Sequence, residues 1–288
     1  MIINRNKNKL LIFGNGYSTK FLIKKAKNYF NSITIVTRRI PHLRIRNVNY
    51  VAFYDSKKVI KVMNNSLIIS TVPPNSKNED PILKLYKNYF KSSNNIFGYI
   101  SSTSVYNDGI NFENSNTFPK TKRGTVRILI EKKWKKYCRN IKIFRCGGIY
   151  GIQRHPMIEY LKGNIGIPHK PNHYTNRIHV EDLANIVLHV LSKNISSTVV
   201  NVVDPNPSIG FDVISYVANS LELKKPILID YKDPSLSKMR RSFFETSKLV
   251  KSGVINKEFN YKFLHPHYSK ALLALTRNII KKKEFFLK

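Results

Sequence analysis

Residues 9–27, KLLIFGNGYSTKFLIKKAK, decide the fold. A short apolar run is followed by Gly14 and Gly16, and then by a helical pattern. A strand, a glycine-rich turn and a helix in this order form the loop that holds phosphates in dinucleotide-binding folds. Gly14 can make the tight turn, Gly16 lets the backbone approach a pyrophosphate, and the free N–H groups of the helix attract the anion. The stretch therefore predicts a phosphate-binding loop.

Thr19 stands where the dinucleotide fingerprint has its third glycine. That glycine serves close packing of the helix on the strand and does not contact phosphate. Because threonine is small but β-branched, we expect it to push the helix outward slightly without removing a phosphate ligand. Cofactor binding is accordingly assigned to Gly14, Gly16, Tyr17 and Thr19.

Beyond the loop, short apolar runs alternate with lysine-rich amphipathic stretches. The predicted strands are 10–13, 33–36, 49–53, 67–70, 96–100 and 141–144. The predicted helices are 17–29, 80–92, 120–139, 181–193, 209–222 and 265–280. Buried strands alternating with helices are typical of a parallel sheet. The predicted fold class is α/β, a Rossmann-type doubly wound parallel sheet with a smaller C-terminal substrate lobe.

The rhythm of the chain changes after about residue 150, where loops rich in proline, glycine and asparagine interrupt the alternation. We predict a dinucleotide-binding domain at 1–150 and a smaller substrate lobe at 151–288. The lobe would cover the carboxyl ends of the strands, where open sheets of this kind bind ligands. The run VVNVV at 199–203 predicts a strand that returns to the sheet, so we expect the two parts to be interwoven.

Net charge is the most unusual feature of the composition: 50 Lys and Arg against 17 Asp and Glu give +33. A field of this strength attracts polyanions, so a basic nucleic-acid-binding protein is one hypothesis. The basic residues are scattered along the chain, however, which favours solvated helix faces and argues against a nucleic-acid partner.

The number and spacing of cysteines and histidines indicate the redox compartment and whether a metal site is expected. Cys138 and Cys146 are too few for a disulfide framework and fit a reduced, cytoplasmic protein. Neither they nor the eight histidines show a metal-ligand spacing, so no metal site is predicted. No apolar run approaches the ~18–20 residues that span a bilayer, and no membrane span is predicted.

The end of the second predicted strand indicates which dinucleotide binds. A carboxylate at this position takes the ribose hydroxyls of NAD. The sequence instead has Thr37, Arg38 and Arg39. Guanidinium groups suit a 2′-phosphate, so the pattern favours NADP, with NAD as the alternative.

Four further motifs follow the glycine loop in order: STVPP at 70–74, GYISSTSVY at 98–106, RCGGIYG at 145–151 and NRIHVEDLANIV at 176–187. Together they resemble the extended short-chain dehydrogenase/reductases, the NAD-dependent epimerase/dehydratase group, and within it an atypical bacterial subgroup. The resemblance covers residues 9 to about 275. It implies an NAD(P)-dependent oxidoreductase or epimerase-like enzyme acting on a small, anionic substrate.

The resemblance also implies positions around the cofactor. Thr71, Val72 and Pro73 would flank the adenosine and its ribose. Ser102 would hydrogen-bond the reacting oxygen. Sugar dehydratases of the family carry an Asp-Glu pair just after this position, which is absent here and argues against dehydration.

Two arginines are expected on the substrate side of the site. By resemblance, Arg145 would lie near the nicotinamide, and Arg177 would bind an anionic group of the substrate. A salt bridge from Arg177 to Glu181 or Asp182 is an equally consistent interpretation of the residues. His179, in the same motif, is expected to be a satisfied core histidine.

The family's proton-transfer pair, a Tyr four residues before a Lys, is missing. Aligning the helix on Glu131 puts Arg127 at the Lys position and Arg123 at the Tyr position. Arg127 could still hold the ribose, but Arg123 cannot act as a base because guanidinium stays protonated. Tyr106 is the nearby phenol that could replace the missing tyrosine. Loss of the pair leaves a second hypothesis open, a non-catalytic NADP(H)-binding sensor or scaffold.

Overall fold

The computed structural model describes residues 9–193 and 195–286, with side chains to residue 282. The strands are β1 (Lys9–Phe13), β2 (Ser32–Thr37), β3 (Asn49–Ala52), β4 (Ser66–Ser70), β5 (Ile96–Ser102), β6 (Gly109–Asn111), β7 (Asn140–Cys146), β8 (Gly148–Tyr150), β9 (Gly166–His169), β10 (Tyr174–Thr175), β11 (Arg177–His179), β12 (Val199–Val202), β13 (Ser208–Ile209), β14 (Ile227–Asp230) and β15 (Lys248–Val250). The helices are α1 (Tyr17–Ala26), α2 (Ser56–Met63), α3 (Pro81–Ser92), α4 (Lys122–Tyr137), α5 (Met157–Tyr160), α6 (Val180–Ser192), α7 (Gly210–Ser220), α8 (Lys238–Ser242), α9 (Gly253–Lys257) and α10 (Tyr268–Phe286).

The central sheet has seven parallel strands in the order β12-β7-β5-β4-β1-β2-β3. β1 pairs with β2 on one side and with β4 on the other, so the strand order reverses at β1. This reversal is the switch point at which doubly wound folds bind ligands. The predicted Rossmann-type fold class is confirmed.

Helices cover both faces of this sheet, which explains why its inner strands are apolar along their whole length. All five residues of β4 are buried. On one face α1 and α6 pack together around Leu22 and Val187. On the other face α3 and α4 pack around Phe90 and Trp134, whose rings are stacked with centroids 5.5 Å apart.

The chain after residue 150 contributes to two different cores. The strand predicted at 199–203 is β12, which pairs in parallel with β7 at the edge of the sheet. A separate apolar cluster joins α5, α7 and α10 through Met157, Val217 and Leu272. Within the described ranges, no helix is both long and apolar enough to cross a membrane. Cys138 and Cys146 are buried free thiols.

Candidate functional site

The turn after β1 has a backbone that only glycine fits at its first position. Gly14 has φ +103°, and an added Cβ would lie 2.6 Å from Thr71 Oγ1 and 3.1 Å from Val72 Cγ2. Its N–H donates to Val36 O at 2.9 Å, which ties the turn to β2. Gly14 therefore makes the tight turn that its position in the sequence predicts.

Gly16 lies at the opposite side of the turn and is exposed. It is the N-cap residue of α1, and an added Cβ would meet nothing within 4 Å. In the described chain no side chain caps this helix and its first turn carries no acidic residue. Space is therefore open beside Gly16 at the N-terminus of α1, where a helix has free N–H groups and the positive end of its dipole.

Thr19 packs this loop from behind. Its side chain is fully buried, and its hydroxyl lies 3.0 Å from Gly14 O and 3.1 Å from Thr71 Oγ1. Thr71 Oγ1 in turn donates to Phe13 O at 3.0 Å. The threonine thus links α1 to the turn and to the segment after β4. The side chain therefore packs the loop, and a phosphate contact at this position would come from the Thr19 N–H in the first turn of α1.

The residues assigned to the adenosine end surround the same turn. Arg38 and Arg39 are exposed just after β2, and neither is in an ion pair among the described residues. Val72 is half-buried, Pro73 is exposed, and both follow β4 directly. Tyr17 opens α1, and its hydroxyl donates to Ile152 O at 2.9 Å across to the segment after β8.

Ser102 ends β5, and Arg127 reaches the same strand from α4. Ser102 is half-buried, and its hydroxyl oxygen accepts the Ser104 N–H at 3.2 Å. Arg127 reaches from α4 to donate to Tyr99 Oη at 2.7 Å and to Ile100 O at 3.3 Å. Arg123, one turn earlier, lies over the ring of Phe243 at 5.6 Å.

Arg145 does not face a substrate, and that prediction is wrong. It is 5% exposed and forms a buried ion pair with Glu131, with Nη2 2.8 Å from Oε2. Glu131 also accepts the Ser101 hydroxyl at 2.5 Å. A guanidinium neutralised inside the core is unavailable to an anionic ligand.

Tyr106 belongs to the same buried network. Its hydroxyl accepts from Arg145 Nη1 at 2.9 Å and donates to Asn201 Oδ1 at 2.7 Å. Burial raises the pKa of Tyr106 above its usual value, against the opposing effect of Arg145. With no exposed surface and both hydrogen-bonding directions filled, Tyr106 supports the core, and its assignment as a catalytic residue is corrected.

Arg177 lies in a second polar region, at the ends of β8, β11 and β12. Its Nε has no hydrogen-bond partner among the described residues, nor do the buried Oδ2 of Asp204 and the Tyr150 hydroxyl. The expected alternative of a salt bridge is not observed, since the described ion pairs of Glu181 are with His179 and His265. Arg177 instead lies over the ring of Tyr268 at 5.4 Å.

Asp204 is a candidate that sequence reasoning missed. Burial raises its pKa to about 7, while the Asn206 N–H and the Arg177 charge oppose the rise. A carboxyl that titrates near neutral pH beside an arginine is a frequent sign of a functional site. In the sequence, Asp204 begins the segment DPNP directly after the returning strand, and this segment is typical of an ordinary loop.

His179 is buried at the N-cap of α6, where Nδ1 accepts the Glu181 N–H at 3.3 Å. Burial and the neighbouring His265 lower its pKa to about 4. The ring is therefore buried, and its Nδ1 accepts one backbone N–H, which is the arrangement expected of a core histidine.

No protein-family model matches the sequence, and no curated protein matches it. Solved structures do match it over nearly its whole length. A conserved protein of unknown function from Silicibacter pomeroyi is 27% identical, with a TM-score of 0.84 over 94% of this chain and 98% of that one.

Two further neighbours are structures with a dinucleotide. A dTDP-glucose 4,6-dehydratase from Bacillus anthracis, in complex with NAD, is 15% identical, with a TM-score of 0.73 over 96% of this chain and 97% of that one. A human epimerase family protein with NADPH is 14% identical, with a TM-score of 0.71 over 94% and 99%. The chain thus has the fold of the extended short-chain dehydrogenase/reductases, the NAD-dependent epimerase/dehydratase group.

Proposed function

We propose that this chain binds NADP(H), in preference to NAD(H), at the turn after β1. The observation that carries the proposal is the geometry of Gly14 and Gly16 at the switch point of the sheet. Gly14 closes the turn, and open space over Gly16 leaves the start of α1 accessible to a pyrophosphate. Neighbours of the same fold are described with NAD and with NADPH, which supports the dinucleotide as the ligand.

Preference for NADP rests on Arg38 and Arg39. Both are exposed where the second strand ends, the position at which the family recognises the adenosine ribose. Neither is neutralised by a described carboxylate, so both guanidinium groups are available to a 2′-phosphate. Two bidentate donors match a phosphate dianion better than a ribose diol.

We propose further that the chain is an oxidoreductase or epimerase-like enzyme for a small anionic substrate. The bound dinucleotide supplies hydride chemistry, and the protein supplies orientation and electrostatics. Ser102 holds the substrate oxygen, because its hydroxyl hydrogen remains free to donate while its oxygen accepts the Ser104 N–H. Arg127 fixes the end of β5 from the position of the family's lysine.

The anionic end of the substrate is assigned to Arg177. Its Nε lacks a hydrogen-bond partner among the described residues, and the Asp204 carboxyl lies in the same region. Asp204 is our candidate for the proton transfer that Tyr106 cannot perform, because its Oδ2 has no hydrogen-bond partner among the described residues and burial raises its pKa to about 7.

A second function is favoured by the arginines at the proton-transfer positions. With Arg123 and Arg127 there, and Tyr106 held in the core, α4 has no Tyr four residues before a Lys. A sensor or scaffold that binds NADP(H) without oxidising or reducing it would keep the glycine turn after β1 and would not need this pair.

Single-turnover oxidation of bound NADPH across a panel of small keto acids and phosphorylated carbonyl compounds separates the two functions. The enzyme hypothesis predicts oxidation with at least one substrate and a slower rate in Ser102→Ala. Tight NADPH binding with no oxidation across the panel supports the sensor. Absence of NADPH binding contradicts both.

A further inference from the structure

Three metal-ligating side chains converge beside the N-terminus of α6. His179 and Glu181 come from the start of the helix, and His265 comes from the segment before α10, 84 residues after Glu181. His265 Nε2 lies 3.1 Å from Glu181 Oε2, and His179 Nδ1 lies 3.8 Å from the same oxygen. All three donor atoms lie within 4.8 Å of one another.

These separations match the edges of a zinc coordination shell. Zinc binds imidazole nitrogen and carboxylate oxygen at about 2.0–2.1 Å, so tetrahedral donors lie about 3.3 Å apart. The observed 3.1 and 3.8 Å fall on either side of that distance. We propose that His179, Glu181 and His265 bind one zinc ion, which clamps the segment before α10 onto the start of α6.

The position of His265 is fixed by its backbone as well as by its side chain. The carboxylate of Asp182 accepts the N–H groups of Leu264 at 2.8 Å and His265 at 2.9 Å. It also accepts the hydroxyl of Tyr261 at 2.7 Å. A buried carboxylate therefore holds the segment over the helix, and the cluster is preorganised by a contact that itself needs no metal.

The chemistry of the three donors suits zinc. Two imidazoles and one carboxylate are the ligand set of many zinc sites with an open fourth position. The Nδ1 lone pair of His179 now accepts the Glu181 N–H at 3.3 Å, a long bond that a metal ion would replace. The rings of His179 and His265 lie 3.6 Å apart between centroids, so the partly exposed His265 ring has to swing outward to give two imidazoles the separation of a tetrahedral site.

A zinc ion and a fourth ligand would reach this site from the solvent side. Glu181 is 41% exposed and His265 is 29% exposed, whereas His179 closes the inner side at 6%. Water can therefore complete the tetrahedron. The proposal stands independently of dinucleotide binding, because none of the three ligands is assigned to the cofactor or to the substrate.

Zinc affinity of the full chain tests the proposal. The protein is purified without a polyhistidine tag, stripped with a chelator, and titrated with Zn²⁺ in competition with a chromophoric chelator. We expect one zinc per chain. Loss of one ligand in Glu181→Gln or His265→Gln should weaken binding at least about tenfold, the cost of losing even an outer-sphere partner. The matched control is His267→Gln, two residues along the same segment, which should bind as the wild type does.

Both test residues are partly exposed, so their variants should fold, and far-ultraviolet circular dichroism verifies this. Co²⁺ provides a second readout, because four-coordinate cobalt gives an intense visible spectrum that each ligand variant should lose. The proposal is overturned if the wild type binds no zinc. It is also overturned if either Glu181→Gln or His265→Gln binds zinc as tightly as the His267→Gln control.

Discussion

The substitution Gly16→Ala tests phosphate binding at the turn after β1 with little change in the stability of the fold. An added Cβ at Gly16 meets nothing within 4 Å, so the folded chain can accommodate it. Gly16 is the N-cap of α1, where alanine is worse than glycine by about 0.5–1 kcal/mol. Restriction of the unfolded chain offsets this by about 0.4–1 kcal/mol. The free energy of unfolding should therefore change by less than about 0.5 kcal/mol.

Binding of the dinucleotide should change much more. A pyrophosphate oxygen accepting an N–H at the start of α1 lies about 2.9 Å from the nitrogen, in the space that the new methyl group enters. Losing one charge-assisted hydrogen bond costs about 1.5–3 kcal/mol. At 1.4 kcal/mol per factor of ten, the Kd for NADPH should rise about 10- to 150-fold.

The assay is a fluorescence titration with NADPH, paired with urea denaturation of each variant. Gly210→Ala is the matched control, since Gly210 also has open space at its Cβ but begins α7, far along the chain from the turn. An unchanged Kd in folded Gly16→Ala would show that no phosphate lies over this glycine.

Three further outcomes follow from the buried polar groups. Glu131→Gln should lower the free energy of unfolding by about 3–5 kcal/mol in denaturant melts, because it leaves the buried Arg145 charge unpaired, whereas the exposed Glu159→Gln should have no measurable effect. Thr19→Val should cost about 1–2 kcal/mol in the same melts, because it removes the hydroxyl from Gly14 O and Thr71; an unchanged stability would refute the packing role. The pKa of Asp204 is raised to about 7 in the folded protein, so the free energy of unfolding of the wild type should fall as the pH rises from about 4 to 7. Asp204→Asn should abolish this fall. Equal slopes of the free energy of unfolding against pH in wild type and variant would contradict the prediction.

The strands of the sheet could be predicted because each one is marked by a pattern of neighbouring residues in the sequence. Strands buried on both faces are continuous apolar runs, and β1, β4 and β7 lie within two residues of the ranges predicted from such runs. The glycine turn was also readable, since its strand, turn and helix are contiguous. Gly14 adopts the backbone conformation that its place in the motif requires.

The partners of the polar residues could not be predicted, because sequence shows residue types and not neighbours. Arg145 in a strand resembled a substrate ligand until Glu131, on the preceding helix, was found against it. His265 is separated from Glu181 by 84 residues, so no motif spacing joins them. Thr19 was assigned to the cofactor and expected to push the helix outward, and its type alone did not show that its hydroxyl bonds the turn itself.

The central claim is that the turn after β1 is a dinucleotide cradle with a 2′-phosphate site beside it. Parallel titrations of the wild type with NADPH and NADH test it most directly, with Arg38→Gln/Arg39→Gln as the partner variant. The account predicts saturable binding of both, tighter for NADPH, with the difference lost in the double variant. Failure of either nucleotide to bind the folded protein would contradict it.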